Sequence, residues 1–251
     1  MTDRPLLPAA RDATATAPAG AGLLALRRVG VCIGTLFWIK AVGTTAFMGL
    51  FFIAYFHLLR HPTQAPIVMP LTAIDRWIPF HPWALWPYIS LWFYVALPPS
   101  LLTSFRSLLS YGSWVGALCI AGLVCFYFWP TAVPRQPLST EGIAGFDLLR
   151  GVDAAGNACP SLHVAAATFS AWWLHRLLHA LALPAWLRAA NAAWYALIVW
   201  STIATRQHVW WDVLAGVALA LLFTPASLRW VGAPRRDDMM PAQGKRAGEE
   251  Q

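Results

Sequence analysis

Two histidines, an aspartate, a serine and two arginines in this chain have the types and spacing to handle an anionic group. His208 and Asp212 stand four residues apart in TRQHVWWDVLAG, residues 205–216. On a helix that spacing puts both on one face. The carboxylate can then accept a hydrogen bond from one ring nitrogen, which fixes the tautomer and frees the other nitrogen as nucleophile or base. Arg206 precedes the histidine by two residues, and its planar guanidinium suits a pair of anionic oxygens. Ser161 and His163 lie in NACPSLHVAAATF, residues 157–169, at the expected start of a helix. Free amides and the positive dipole end favour an anion there, and a histidine beside it can exchange protons. Arg135 in WPTAVPRQP, residues 129–137, supplies a second cation.

Each of these residues also has a plain structural reading. His208 and Asp212 can be a buried polar pair, Ser161 a helix cap, His163 an interfacial histidine, and the arginines surface groups that snorkel toward head groups. Together they amount to a nucleophile with its orienting carboxylate, a second acid/base and a cationic clamp. That set performs phosphoryl transfer without a metal.

The elements that bring these residues together are membrane helices. Of 251 residues, 58% are hydrophobic and 12% charged, the latter about half the usual globular share. Fifteen tryptophans point to interface anchoring as well as core packing. Six apolar segments stand out, at about 31–59, 84–103, 112–129, 160–183, 189–204 and 209–223. Pro98 and Pro99 are expected to kink or break the second segment, and Pro160 is placed to open the fourth as its first helical residue. The expected fold is all-α: a polytopic membrane protein of six transmembrane helices in one bundle, with its site at the outer face.

Six crossings put both tails on one side, and the charges agree. Among the 18 lysines and arginines, only Arg60, Arg76, Arg135, Arg150 and Arg206 fall on the opposite side; Lys40 lies within the first segment and the rest accompany the tails. That bias places both termini in the cytoplasm and the site on the extracytoplasmic face of the cell membrane. The 60–83 linker, the 130–160 loop and the 205–208 turn then share the outer face. Residues 1–28 read as a disordered cytoplasmic tail without a signal peptide, 29–232 as the membrane domain and 233–251 as a charged cytoplasmic tail.

The net charge of +7 is a topology signal, since no basic-aromatic stripe suggests nucleic acid. The four cysteines form no disulfide framework and no zinc spacing. Nothing calls for a metal or another cofactor. Asp153 and Asn157, just before the fourth segment, can shape an anion-binding loop or serve ordinary turns. Asp75 and Arg76 can help close a lid.

These motifs resemble the type 2 phosphatidic acid phosphatase superfamily, which also includes vanadium-dependent haloperoxidases. PSLH at 160–163 matches its Pro-Ser-x-His motif. HVWWD at 208–212 matches its His-x-x-x-Asp motif, with Ser201 where the family also has serine. PRQP at 134–137 is a partial match to its arginine motif. Phe128 stands where the family has lysine, and Thr202 where it commonly has arginine. The likeness runs from about residue 70 to 225, and the branch it most resembles includes inositol phosphorylceramide synthases.

The resemblance implies a phosphohistidine route. His208 attacks phosphorus with Asp212 orienting it, and His163 protonates the leaving alkoxide and then activates the acceptor. Arg135, Arg206, Ser161 and the backbone at Leu162 hold the phosphoryl oxygens. The implied activity is a lipid phosphatase acting on a phosphomonoester or diphosphate lipid. The implied partners are a lipid phosphate and the bilayer, with no oligomeric state indicated. A phosphotransferase with an alcohol acceptor is the alternative. A transporter or assembly subunit is the reading from another class, but its ionisable groups belong near mid-membrane, whereas these crowd one face.

Overall fold

The computed structural model describes residues 20–134 and 156–230. Among the described residues helices dominate, with a single pair of two-residue strands. α1 (Gly20–Gly34) and α2 (Phe37–Arg60) come first. The linker after them holds β1 (Ile67–Val68), α3 (Ala73–Trp77) and a single 3-10 turn at Pro82–Ala84. α4 (Leu85–Ile89), α5 (Leu91–Tyr94) and α6 (Leu97–Leu101) form one interrupted run. α7 (Phe105–Phe128), β2 (Thr131–Ala132), α8 (Leu162–Ala180), α9 (Ala185–Ala204) and α10 (Trp210–Trp230) complete the described chain.

Two expected segments are divided. The first breaks at Leu36, whose φ of 56° is left-handed, so α1 ends and α2 starts within the apolar run. The second becomes the α4–α6 run. Pro87, Pro98 and Pro99 lack amide donors, so the ladder breaks, while the joints at Ser90, Val95 and Ala96 keep helical dihedrals. Among the described residues three helices, α2, α7 and α10, are long and apolar enough to cross a membrane, so six crossings are not shown. α8 and α9 have 19 and 20 residues but a more polar make-up.

That polarity is used inside the bundle. α8 is the central helix, packed by α7, α9 and α10 and touched by α6. Its Phe169, Trp173 and Leu177 are fully buried. Trp173 Nε1 donates to Ser227 Oγ of α10 at 3.0 Å. Asn191 of α9 accepts from Tyr94 Oη at 2.7 Å and donates to the Ala171 carbonyl of α8 at 3.0 Å. Interhelical hydrogen bonds of this kind hold helices together where lipid offers no hydrophobic drive.

At one end of the bundle the three connections meet. β1 pairs in parallel with β2, and Ala132 bridges to Gly156. The His81 amide donates to the Ala204 carbonyl at 3.0 Å, tying the linker to the end of α9. Exposed Trp77, Trp83, Trp129 and Trp211 stand toward this end and Trp38, Trp186 and Trp230 toward the other, with Trp172 and Trp194 exposed at mid-helix.

The starts of α8 and α10 meet backbone to backbone here. The Ser161 amide donates to the Asp212 carbonyl at 3.0 Å. Gly216, one turn further along α10, lets the helices come this close: a Cβ there would overlap the Ser161 carbonyl oxygen and stand 3.1 Å from Val164 Cβ. Gly216→Val should therefore cost about 1–3 kcal/mol of stability through overpacking. Thermal unfolding of the purified protein in detergent checks this, and an unchanged midpoint would show that the contact is not a constraint.

Candidate active site

Asp212 is the third residue of α10 and is completely buried. Its Oδ2 accepts from the Val209 amide at 2.9 Å, the acid half of a capping box. The same oxygen lies 3.5 Å from His208 Nδ1, while Oδ1 has no hydrogen-bond partner. The pair expected on one helical face is thus made differently. His208 precedes the helix, and its amide donates to the Thr202 carbonyl of α9 at 3.0 Å. Arg206, with a left-handed φ of 60°, turns the chain between them. The Nδ1–Oδ2 separation is longer than a hydrogen bond, so the two groups face each other without one.

Ser161 caps α8: its hydroxyl accepts from the Val164 amide at 3.2 Å. Leu162, not Pro160, is the first helical residue. The amides of Leu162 and His163 therefore have no intrahelical acceptor. His163 is stacked on Tyr88, with ring centroids 4.1 Å apart and planes 16° apart. It bonds the backbone of Tyr88, and its Nε2 is buried without a partner. Tyr88 belongs to α4, within the proline-broken run, and nothing in the sequence marked it.

His163 and His208 line a single cavity of about 690 Å³. Asn157 and Leu162 line the same cavity. Asn157 adopts a left-handed φ of 52°, a conformation that asparagine tolerates. Its Nδ2 donates to the Tyr55 carbonyl of α2 at 3.2 Å, fixing the loop before α8.

Three expected anion-binding or supporting residues do not line the cavity: Ser161, completely buried with its hydroxyl on the Val164 amide, Arg206 and Ser201. Arg206 Nη1 donates to the Asp75 carbonyl of α3 at 2.6 Å, its Nε is buried without a partner, and it does not line the cavity. Ser201 is buried and donates to the Ile198 carbonyl of its own helix at 2.6 Å, away from the cavity. Arg135 and Asp153 lie outside the described residues. Among the described residues, no group of three His, Cys, Asp or Glu side chains is placed to hold a metal ion. Burial pushes the Cys159 thiol up to about 11, with the Asp212 charge adding to the effect, so this neighbouring sulfur stays protonated.

Asp75 does more than the sequence suggested. It is buried, with Oδ2 accepting from the Thr72 amide and hydroxyl, both at 2.7 Å. Its Oδ1 accepts from the Trp210 amide at 2.7 Å. With the Arg206 contact to its carbonyl, Asp75 holds the turn carrying His208 from both sides. A partner 135 residues away cannot be read from local spacing.

The sequence model of the PAP2 superfamily matches residues 72–226, more than half of the chain. The stretch takes in α3, the α4–α6 run, α7 and the three helices whose ends meet at His163 and His208. The chain belongs to the PAP2 superfamily, which supports a phosphatase or phosphotransferase type of activity in a membrane protein. No curated protein and no solved structure gives a significant match.

Asp75→Ala removes the acceptors of the Thr72 and Trp210 amides. Each orphaned buried group costs about 1–3 kcal/mol. The variant should lose thermal stability and turnover together, and Asp75→Asn should retain more of both. Wild-type turnover in purified Asp75→Ala would show that α3 does not hold the His208 turn.

Proposed function

We propose that this protein is an integral-membrane lipid phosphatase that cleaves a phosphomonoester or diphosphate lipid through a phosphohistidine on His208. The observation that carries this reading is that His208, backed by Asp212, and His163, with a free Nε2, border one apolar cavity. A water-soluble phosphoester would have no use for such a cavity. A lipid would extend its hydrocarbon into it and keep its phosphate at the histidines.

In this mechanism Asp212 faces Nδ1, so Nε2 of His208 is the attacking atom. The P–N bond forms as the ester P–O bond breaks, and the leaving oxygen takes a proton from His163 Nε2. His163 then removes a proton from water as that water attacks phosphorus, and the P–N bond breaks to release phosphate. The open amides at the α8 N-terminus, at Leu162 and His163, suit the anionic phosphoryl oxygens. Arg135 is the proposed cation of the site. Arg206 acts from the turn, through its hold on α3, or swings in when phosphate binds. The arginine and lysine bias favours both termini in the cytoplasm and the site on the extracytoplasmic face of the cell membrane.

His208→Ala should abolish turnover, and His163→Ala should lower it by about 10²–10⁴-fold, with both proteins still inserted and folded. Full activity of purified His208→Ala would sink the mechanism. EDTA should leave the rate unchanged, and a strict divalent-metal requirement would count against histidine as the nucleophile. Product analysis with a panel of lipid phosphates, with and without alcohols, identifies the acceptor. Free phosphate alone means a phosphatase; a new phosphodiester lipid means a transferase of the kind the inositol phosphorylceramide synthase likeness suggests.

A further inference from the structure

The cavity below the histidines does not stay apolar along its whole length. α2 forms one wall. Near one end of α2, the Tyr55 carbonyl receives Asn157, beside His163 and His208. Near the other end, Lys40 lines the same cavity. The two residues are fifteen positions apart on a continuous helix, so the cavity descends about 22 Å at the helical rise of about 1.5 Å per residue. Between them the lining from α2, α5 and α7 is mostly Phe, Met, Leu, Ile and Gly, interrupted by Thr44, Tyr111 and Ser113.

Lys40 is buried, at 7% exposure. Its Nζ donates to the Cys32 carbonyl at 2.6 Å and the Ser100 carbonyl at 2.8 Å. Those carbonyls belong to the last turns of α1 and α6, the negative ends of two helix dipoles. Among the described residues no carboxylate lies within ion-pair distance of it. The ammonium is therefore fixed in place, not snorkelling, and it sets a charged group at one end of a largely apolar slot. Further along the slot the walls leave spare room: a Cβ at Gly43 or Gly112 would meet nothing within 4 Å.

We propose that Lys40 is the floor of a chain-length gauge for the substrate's hydrocarbon tail, an inference that rests on the lipid-phosphate reading of the site. With its phosphate at His208 and His163, the tail lies along the α2–α7 wall. It is accepted until its methyl end reaches the ammonium. A longer tail has to strip polar contacts from a buried cation or fold back, and both are unfavourable.

The test uses the full-length protein in detergent and a series of n-alkyl phosphates that lengthens by two methylenes per step. Turnover is read as kcat/KM. Binding is read separately, as thermal stabilisation by the matching non-hydrolysable alkyl phosphonates. Both should rise with chain length and then break, falling roughly tenfold per step past the break. Lys40→Met should move the break to longer chains. Gly112→Leu, which fills the slot without touching Lys40, should move it to shorter chains, and this variant carries the test if Lys40→Met does not fold. Lys40→Arg, which keeps a cation, should leave the break where it is. A wild-type series with no break, or breaks at one length in all variants that fold, would overturn the gauge. If the phosphonate series shows the shifts but no alkyl phosphate is turned over, the gauge stands and the phosphatase reading fails.

Discussion

The buried carboxylate of Asp212 stands where the two helix starts of this site meet. Asp212 is fully buried at the start of a helix apolar enough to cross a membrane. A charge in that position is costly unless it is satisfied. Its Oδ2 is met by the Val209 amide and faces the His208 ring at the positive end of α10, while Oδ1 is left without a partner. Its carbonyl takes the Ser161 amide, so the same residue also sets where α8 begins. The pair of helix starts depends on Asp212, and on the bare Cα of Gly216 one turn below it.

Around that centre the other contacts work as a frame. Asp75 and Arg206 join α3 to the His208 turn, Tyr88 seats His163 against α4, and Asn157 ties the loop before α8 to α2. Each fastens an element that would otherwise be a loose connection. Preorganisation of this kind is what a phosphoryl-transfer site needs, because its catalysis rests on positioning and charge more than on covalent strain. Lys40 plays a similar part at the far end of the cavity, joining α1, α2 and α6.

The parts of the site carried by local pattern were legible in the sequence. His208 and Asp212 stand side by side and Ser161 and His163 at a helix start, as their local pattern suggested, and the three connections meet at one end, although only three of the described helices are long and apolar enough to cross a membrane. What the sequence hid depends on partners far apart in the chain. Tyr88 sits 75 positions before the histidine it stacks on and inside a run broken by prolines, where helical periodicity fails. Asp75 reads locally as an N-cap partner of Thr72, which it is, and its second bond to Trp210 has no local signature. The His208–Asp212 geometry was misjudged because four-residue spacing suggests a continuous helix, whereas the helix starts between them. Lys40 looked like an isolated charge because its acceptors are backbone carbonyls, which no side-chain pattern records.

The central claim is that His208 carries the phosphoryl group between donor and acceptor. The direct measurement uses His163→Ala with an aryl phosphate whose leaving group needs no proton, labelled at phosphorus. The reaction is quenched in alkali, where phosphohistidine survives, and the peptides are read by mass spectrometry. The account predicts that the phosphoryl group leaves the aryl phosphate but accumulates on His208, because the group that would activate water is gone. Release of the aryl alcohol with no label on His208, or with the label on another residue, would contradict it.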